Sequence, residues 1–237
     1  MGNTQISWTQ KVWNPSTGCT PISEGCKHCY AQKMAHRLKG MGQSKYVNDF
    51  ELTTHSSSLN EPYSWKKPQL VFVNSMSDLF HEKMPLAFIK KVFEVMNNNP
   101  QHNFQVLTKR ADILMKYAPM LNWTKNIWLG VTVESDKYFN RVDSLRNTGA
   151  HLKFLSCEPL LSSIKDIDLH DIGWVIVGGE SGPGARPMQK IWVEEIQKKC
   201  KAKGVPFFFK QWGGIHAKKG GCLLNGAEYK NFPVLDE

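Results

Sequence analysis

The sequence of 237 residues has no long apolar run and no low-complexity tract, and these absences narrow the possible functions. No stretch approaches the ~20 consecutive apolar residues that a membrane-spanning helix needs, so we expect no membrane partner. The first ten residues carry no charged side chain and lack the pattern of a signal peptide. Nothing in the length requires a second domain. We therefore expect one cytoplasmic domain that spans residues 1–237.

Acidic residues are scarce in two parts of the chain, and the formal net charge is +9 at pH 7. Residues 198–219 contain seven lysines and no acid, and the first fifty residues carry six basic side chains against two acidic ones. Such a surface favours a polyanion, because phosphates that bind lysine release their condensed counterions. We therefore expect a nucleic acid or a nucleotide as substrate. The alternative is that the excess of lysine only keeps the protein soluble.

The apolar residues occur in short runs that are rich in Val, Ile, Leu and Phe and mostly lack alternation with polar residues. Such runs are typical of parallel strands that are buried on both faces. Amphipathic helical segments separate most of them. This order predicts an α/β fold, namely a full or partial (β/α) barrel of about 6–7 parallel strands, with a doubly wound open sheet as the alternative. The predicted strands cover residues 11–14, 69–74, 103–108, 126–133, 152–156, 174–178 and 206–210.

Four helices are predicted between these strands, at residues 30–40, 85–96, 136–146 and 191–203. In the first of them Tyr30, Met34 and Leu38 are spaced by four residues and form one apolar stripe. Residues 41–67 are polar and rich in Ser, Asn and Pro. A loop of this length predicts an insertion, which is a functional lid, a docking arm or a disordered segment.

Three of the six cysteines, Cys19, Cys26 and Cys29, lie within eleven residues. In a cytosolic protein such clustering indicates a metal or catalytic site rather than disulfides. The cysteines lie in a predicted loop after the first strand, and three thiolates there can hold a 4Fe–4S cluster with one iron left open. One alternative is a zinc site, with Cys222 as the fourth ligand, in a non-catalytic nucleic-acid-binding protein. The other is a chance group of reduced, inert cysteines.

The segment Cys26-Lys-His-Cys29-Tyr-Ala, which leads from this loop into a helix, resembles the cluster loop of the radical-SAM superfamily. Six residues separate Cys19 from Cys26, the first two cysteines of the loop, where that superfamily usually has three. The resemblance implies a 4Fe–4S cluster, S-adenosylmethionine (SAM) and a reductant of flavodoxin or ferredoxin type. Together with the basic charge, it predicts an enzyme that repairs or modifies a nucleic acid or nucleotide.

Eight further segments are ISWT (6–9), NPSTGC (14–19), NSMSDLFH (74–81), QVLTKR (105–110), WLGVTVE (128–134), LSCEP (155–159), VGGESG (177–182) and FFKQWG (208–213). Through them, nearly the whole chain resembles an uncharacterised phage-associated family of three-Cys-motif proteins. That resemblance brings no settled substrate.

Each predicted strand ends in a cluster of polar residues, and in barrel enzymes the chemistry lies at these carboxyl ends. We expect the clusters to face one rim together with the cysteine loop. The radical-SAM resemblance implies that Glu134 or Glu180 holds the amine or ribose of SAM. It also implies that Lys109, Arg110, Arg186 and Lys210 meet phosphates or the SAM carboxylate. The predicted cofactor-binding residues are Asn74, Ser75, Asp78, Thr108, Lys109, Glu134, Gly178, Gly179, Glu180 and Arg186.

The predicted catalytic residues are Cys157, Glu158 and Lys210, all at strand ends. Cys157 either donates a hydrogen atom to a substrate radical or is a small buried apolar residue, as free cysteines usually are. The adjacent glycines Gly178 and Gly179 either let the backbone approach a ligand closely or only form a tight turn.

Overall fold

The computed structural model describes residues 4, 6–215 and 220–234. Seven parallel strands form one sheet in which every strand pairs with its neighbours in chain order. This unbroken order is that of a curled half-barrel, because a doubly wound sheet reverses its order at a switch point. The predicted α/β partial barrel is confirmed. The strands are β1 (Lys11–Trp13), β2 (Leu70–Val73), β3 (Asn103–Thr108), β4 (Ile127–Thr132), β5 (Leu152–Cys157), β6 (Trp174–Gly178) and β7 (Phe207–Gln211).

Helices join most of the strands, and α2 to α5 pack on the convex face of the sheet. They are α1 (Tyr30–Gly40), α2 (Leu86–Asn97), α3 (Ala111–Tyr117), α4 (Asn140–Arg146) and α5 (Lys190–Lys203). The short helix α3 lies outside the predicted helices, because its seven residues bury too few side chains to give a clear periodicity. In the described part of the chain, no helix is long and apolar enough to cross a membrane.

Side chains alternate between two apolar layers, one on each face of the sheet. The convex layer packs against the helices. The concave layer is largely aromatic and fills the half-barrel below its carboxyl end, and the ring of Trp8 inserts into it 4.6 Å from that of Phe72. Since both faces are buried, the strands read as continuous apolar runs. The concave layer consists of Trp8, Phe72, Trp128, Phe154, Trp174, Ile176 and Phe208.

Residues 41–67 contain three 3-10 helices and a short strand rather than one extended loop. The strand Thr53–Thr54 pairs antiparallel with Ser16–Thr17, just before the cysteine loop. Gly18 has a φ of 85°, and a side chain there would overlap with the carbonyl of Glu51. The segment therefore packs against the start of the cysteine loop. Its role as a lid or docking arm stays a prediction.

Candidate functional site

Polar side chains line the concave face above the aromatic layer, at the carboxyl end of the sheet. Alternation along a strand decides which residues these are. In β5, for example, Phe154 belongs to the concave aromatic layer, so Ser156 and Glu158 project to the same side. Seven strand-end residues lie, by the same alternation, on the side of the sheet that carries the concave aromatic layer. We call these seven residues the rim. The rim consists of Asn74, Lys109, Glu134, Ser156, Glu158, Glu180 and Lys210.

The cysteine loop crosses this rim from β1 to the ends of β4 and β6. The hydroxyl of Ser23 donates a hydrogen bond to the carboxylate of Glu134, beyond β4. Lys137, on the same side, lies 2.7 Å from the carboxylate of Glu24. A Cβ at Gly184, in the loop after β6, would lie 3.0 Å from the His28 ring. The loop that carries the three cysteines is therefore held above the mouth of the half-barrel.

Arg110 fixes the Cys19 end of the loop. Its guanidinium donates to the Cys19 sulfur at 3.4 Å, to the Thr20 carbonyl at 2.9 Å and to the Glu82 carboxylate at 2.8 Å. It also donates to Asp78 at 3.1 Å. The side chain is 4% exposed. Because its donors are taken up inside the protein, Arg110 serves the loop and is not placed to meet a phosphate.

Asp78 and Thr108, which are predicted cofactor-binding residues, lie in the same buried network. The Asp78 carboxylate accepts hydrogen bonds from the hydroxyl of Thr108 at 2.7 Å and from the backbone N–H of Lys109 at 3.1 Å. Both residues are buried. The structure thus brings Asp78 and Thr108 to Arg110 rather than to the open face of the rim. Next to Arg110 they orient the guanidinium toward Cys19.

Glu134 fixes the Cys26 end of the loop. Its side chain is fully buried, and it accepts hydrogen bonds from Ser23 and, at 2.7 Å, from Arg141 of α4. The ammonium of Lys109 is 3.9 Å away. The sequence analysis does not identify Arg141. Its position one turn before the buried Leu145 places it on the buried side of α4, and a charged residue there indicates a buried partner.

Glu158 and Lys210 form an ion pair at the rim, with 2.8 Å between the ammonium nitrogen and the carboxylate. The other carboxylate oxygen accepts a hydrogen bond from the indole of Trp8 at 3.1 Å. The Lys210 side chain is 24% exposed, so it keeps donors available to a ligand. The structure brings these two predicted catalytic residues together. Trp8, which the sequence does not single out, holds the carboxylate in place.

Glu180 and Arg186 pair with each other in the loop after β6. The guanidinium donates to both carboxylate oxygens, at 2.9 and 2.6 Å. Burial opposes the ionisation of Glu180. The hydrogen bonds from Arg186 and its positive charge outweigh burial, so the pKa of Glu180 is lowered. This pairing occupies two of the groups that the radical-SAM resemblance assigns to the cofactor.

Gly178 and Gly179 must lack a side chain because neighbouring protein atoms fill the space that a Cβ would occupy. A Cβ at Gly178 would lie 2.7 Å from the Glu158 carboxylate, and a Cβ at Gly179 would overlap with the carbonyl of Trp212. The space that the missing side chains leave is therefore occupied by the rim itself and by the chain that follows β7.

Cys157 lies on the other side of the sheet. It has no exposed surface and belongs, with Cys200 of α5, to the convex apolar layer. Burial raises its pKa well above that of an ordinary thiol. Its neighbours Ser156 and Glu158 face the rim, but the structure does not bring the Cys157 thiol there.

Asn74 and Ser75 lie where β2 meets the cysteine loop. Asn74 has a φ of 59°, which ends the strand one residue earlier than predicted. Its side-chain carbonyl accepts a hydrogen bond from the N–H of Ser16 at 3.2 Å, but its amide nitrogen has no partner although the residue is 3% exposed. A buried donor without a partner is costly, so this atom suits an oxygen of a bound ligand.

The three thiols fit an iron–sulfur cluster by their chemistry. All three are free and partly exposed, and Cys19 and Cys26 are near enough for the charge of one to affect the other. Within the described ranges, no three Cys, His, Asp or Glu side chains are arranged around one point as metal ligands. Cys222 instead donates to Glu228 at 3.2 Å. A set of three thiols without a fourth ligand suits a cluster with one open iron better than four-coordinate zinc.

The metal-free protein should react with iodoacetamide at Cys26 before Cys19. Burial and then the charge of Asp78 raise the pKa of Cys19 to about 11. Burial of Cys26 acts in the same direction, but hydrogen bonds with Ile22 and Ser23 and the charge of Lys109 outweigh it and lower the pKa. At about pH 8 the thiolate, which is the reactive form, is therefore more abundant at Cys26. Peptide mass spectrometry measures the order, and faster labelling of Cys19 would contradict it.

The same half-barrel occurs in solved structures of spore photoproduct lyase. A cysteine-to-serine mutant aligns with a TM-score of 0.50 at 12% identity, over 84% of this chain and 62% of that one. A double mutant with bound AdoMet and dinucleoside spore photoproduct gives 0.48 at 11% identity, over 79% and 60%. This chain spans about three fifths of their length.

At these identities the structural likeness establishes the fold alone. A search of curated proteins finds no match. Residues 3–233 match the family described as "Protein of unknown function (DUF5131)", and the chain belongs to this family.

Proposed function

We propose that this protein is a radical-SAM-type enzyme that repairs or modifies a nucleic acid or nucleotide. Cys19, Cys26 and Cys29 would hold a 4Fe–4S cluster. The observation that carries the proposal is the place of the cysteine loop, which is held from both ends above the polar rim of a half-barrel. When bound, such a cluster and SAM supply one-electron chemistry that the side chains of a protein lack.

The rim residues have separate tasks in this proposal. The unpartnered amide of Asn74 and the ammonium groups of Lys109 and Lys210 are the donors left for a carboxylate or phosphate. Glu158 holds Lys210 in position, and the aromatic layer beneath keeps water from the floor of the site. Because spore photoproduct lyase has been solved with AdoMet and a dinucleoside bound, we propose ligands of these two classes here.

The proposal also extends to the setting of the enzyme. We propose that residues 1–237 act as one cytoplasmic domain and that a flavodoxin or ferredoxin type of protein supplies the electron. The basic charge of +9 supports a phosphate-bearing substrate.

Anaerobic reconstitution with iron and sulfide tests the proposal. We expect a brown protein with about four irons per chain, whose EPR signal after reduction changes when SAM is added. Changing Cys19, Cys26 or Cys29 to serine should abolish iron retention, whereas Cys222→Ser should leave it unchanged. A colourless protein with one zinc per chain that depends on Cys222 would overturn the proposal and support the zinc-binding alternative.

A further inference from the structure

Helix α1, which follows the cysteine loop, exposes Tyr30 and Met34 of the apolar stripe that its sequence predicts, whereas Leu38 is half-buried. Ala31 and Ala35 face the protein instead and are buried. Tyr30 is 54% exposed and Met34 is 41% exposed. Neighbouring large apolar side chains that remain in contact with water often mark an interaction site.

The exposed side of α1 is also basic. Lys33 and Arg37 share it with Tyr30 and Met34, because residues three, four and seven apart lie on one side of a helix. We call these four residues the α1 face. Helix α1 contains no acidic residue, and within the described part of the chain neither Lys33 nor Arg37 pairs with a carboxylate. The two cations therefore remain available to a partner.

The α1 face is continuous with the rim. The hydroxyl of Tyr30 donates a hydrogen bond to the carbonyl of Ser75 at 2.5 Å, directly after β2. The hydroxyl end of the ring thus reaches the rim while much of the side chain stays open to solvent. On the other side, the Lys33 ammonium lies 3.7 Å from where a Cβ of Gly182 would be.

We propose that the α1 face is a docking surface for a single strand of nucleic acid, which it leads to the rim. The ring of Tyr30, tethered through its hydroxyl, offers a platform for one unpaired base. Lys33 and Arg37 neutralise the neighbouring phosphates. The α1 face has no acidic residue, two unpaired cations and an exposed aromatic ring. The cations suit the phosphates of a polyanion, and the ring suits its planar bases. This inference identifies the substrate class of the proposed function as single-stranded nucleic acid. The reaction on that substrate rests on the proposed function, but the binding does not.

Fluorescence anisotropy with a labelled single-stranded oligonucleotide of about 12 nucleotides tests the docking surface on metal-free protein that comprises residues 1–237. We expect Tyr30→Ala to weaken binding about 5- to 150-fold, and Tyr30→Phe to keep most of the affinity because the ring remains. The double variant K33Q/R37Q should make the slope of log K against log salt shallower by about 1.4.

Two controls are matched to these variants. Tyr63→Ala removes an aromatic side chain that is 51% exposed, and K90Q/K91Q removes two exposed charges from α2. Both controls should bind like the wild type. Equal affinity in all variants, or equal loss in the controls, would overturn the docking surface. So would loss of binding to an acidic flavodoxin in the α1 variants with unchanged oligonucleotide affinity, because the face would then serve a protein partner.

The binding measurement and the reconstitution experiment together separate this inference from the proposed function. A protein that holds neither iron nor SAM, but loses oligonucleotide affinity in the α1 variants, would refute the radical-SAM proposal and support the docking surface. A protein that holds both cofactors and binds the oligonucleotide equally in every variant would support the radical-SAM proposal and refute the docking surface.

Discussion

Replacing Gly179 by alanine should lower the free energy of unfolding by about 3 kcal/mol. The new Cβ would overlap with the carbonyl oxygen of Trp212 and lie 2.7 Å from its carbonyl carbon. A Cβ at Gly213 would likewise overlap with the carbonyl oxygen of Glu180. The obstacle is backbone rather than a flexible side chain, so the ends of β6 and β7 would have to separate. Urea denaturation followed by tryptophan fluorescence measures the change.

Gly40→Ala is the matched control for this substitution. Gly40 ends α1, and a Cβ there would meet no atom within 4 Å. We expect this variant to unfold at the wild-type urea concentration or slightly above it, since alanine favours a helix by up to about 1 kcal/mol over glycine. If Gly179→Ala were as stable as Gly40→Ala, the close approach of β6 and β7 would be wrong.

Arg110→Gln should destabilise the metal-free protein by about 3–5 kcal/mol and remove most of the iron after reconstitution. The substitution leaves the buried carboxylate of Asp78 without its cation. It also removes the hydrogen bonds to Cys19 and Thr20, so the first cysteine would no longer be held above the rim. Urea denaturation gives the stability, and iron analysis of the reconstituted protein gives the retention.

Two further variants separate the two effects of Arg110. The pair Asp78→Asn with Arg110→Met removes both buried charges, so it should recover much of the stability but not the iron. Lys190→Gln removes an exposed cation that pairs with Glu194 one turn further along α5, and it should cost less than about 1 kcal/mol and leave iron unchanged. Full iron retention in Arg110→Gln would show that Cys19 needs no such support.

The fold could be predicted because burial on both faces makes each strand a continuous apolar run. Each end of the runs agrees with the end of its strand to within one residue. The position of Asn74 shows why the ends are not exact, since its left-handed backbone ends β2. The sheet order needs the structure, because apolar runs separated by helices fit both a half-barrel and a doubly wound sheet.

The sequence identifies which side chains lie at strand ends better than it identifies what they do there. Glu134 and Arg110 lie at strand ends, as predicted, yet their donors and acceptors are taken by Ser23, Arg141 and Asp78, which are far from them in sequence or on other elements. Only the structure reveals such pairings. Cys157 is different, because strict alternation from Phe154 is enough to place its thiol on the convex side.

The loop above the rim depends on partners that are synthesised long after it. Cys19 and Arg110 are 91 residues apart in the chain, and Ser23 and Glu134 are 111 apart. At a translation rate of about 5–20 residues per second, the second contact cannot form until roughly 6–22 s after Ser23 is added to the chain. During that interval the three thiols belong to a nascent segment without its final anchors. Insertion of a metal group in its native geometry would therefore have to wait until the ribosome has passed β4.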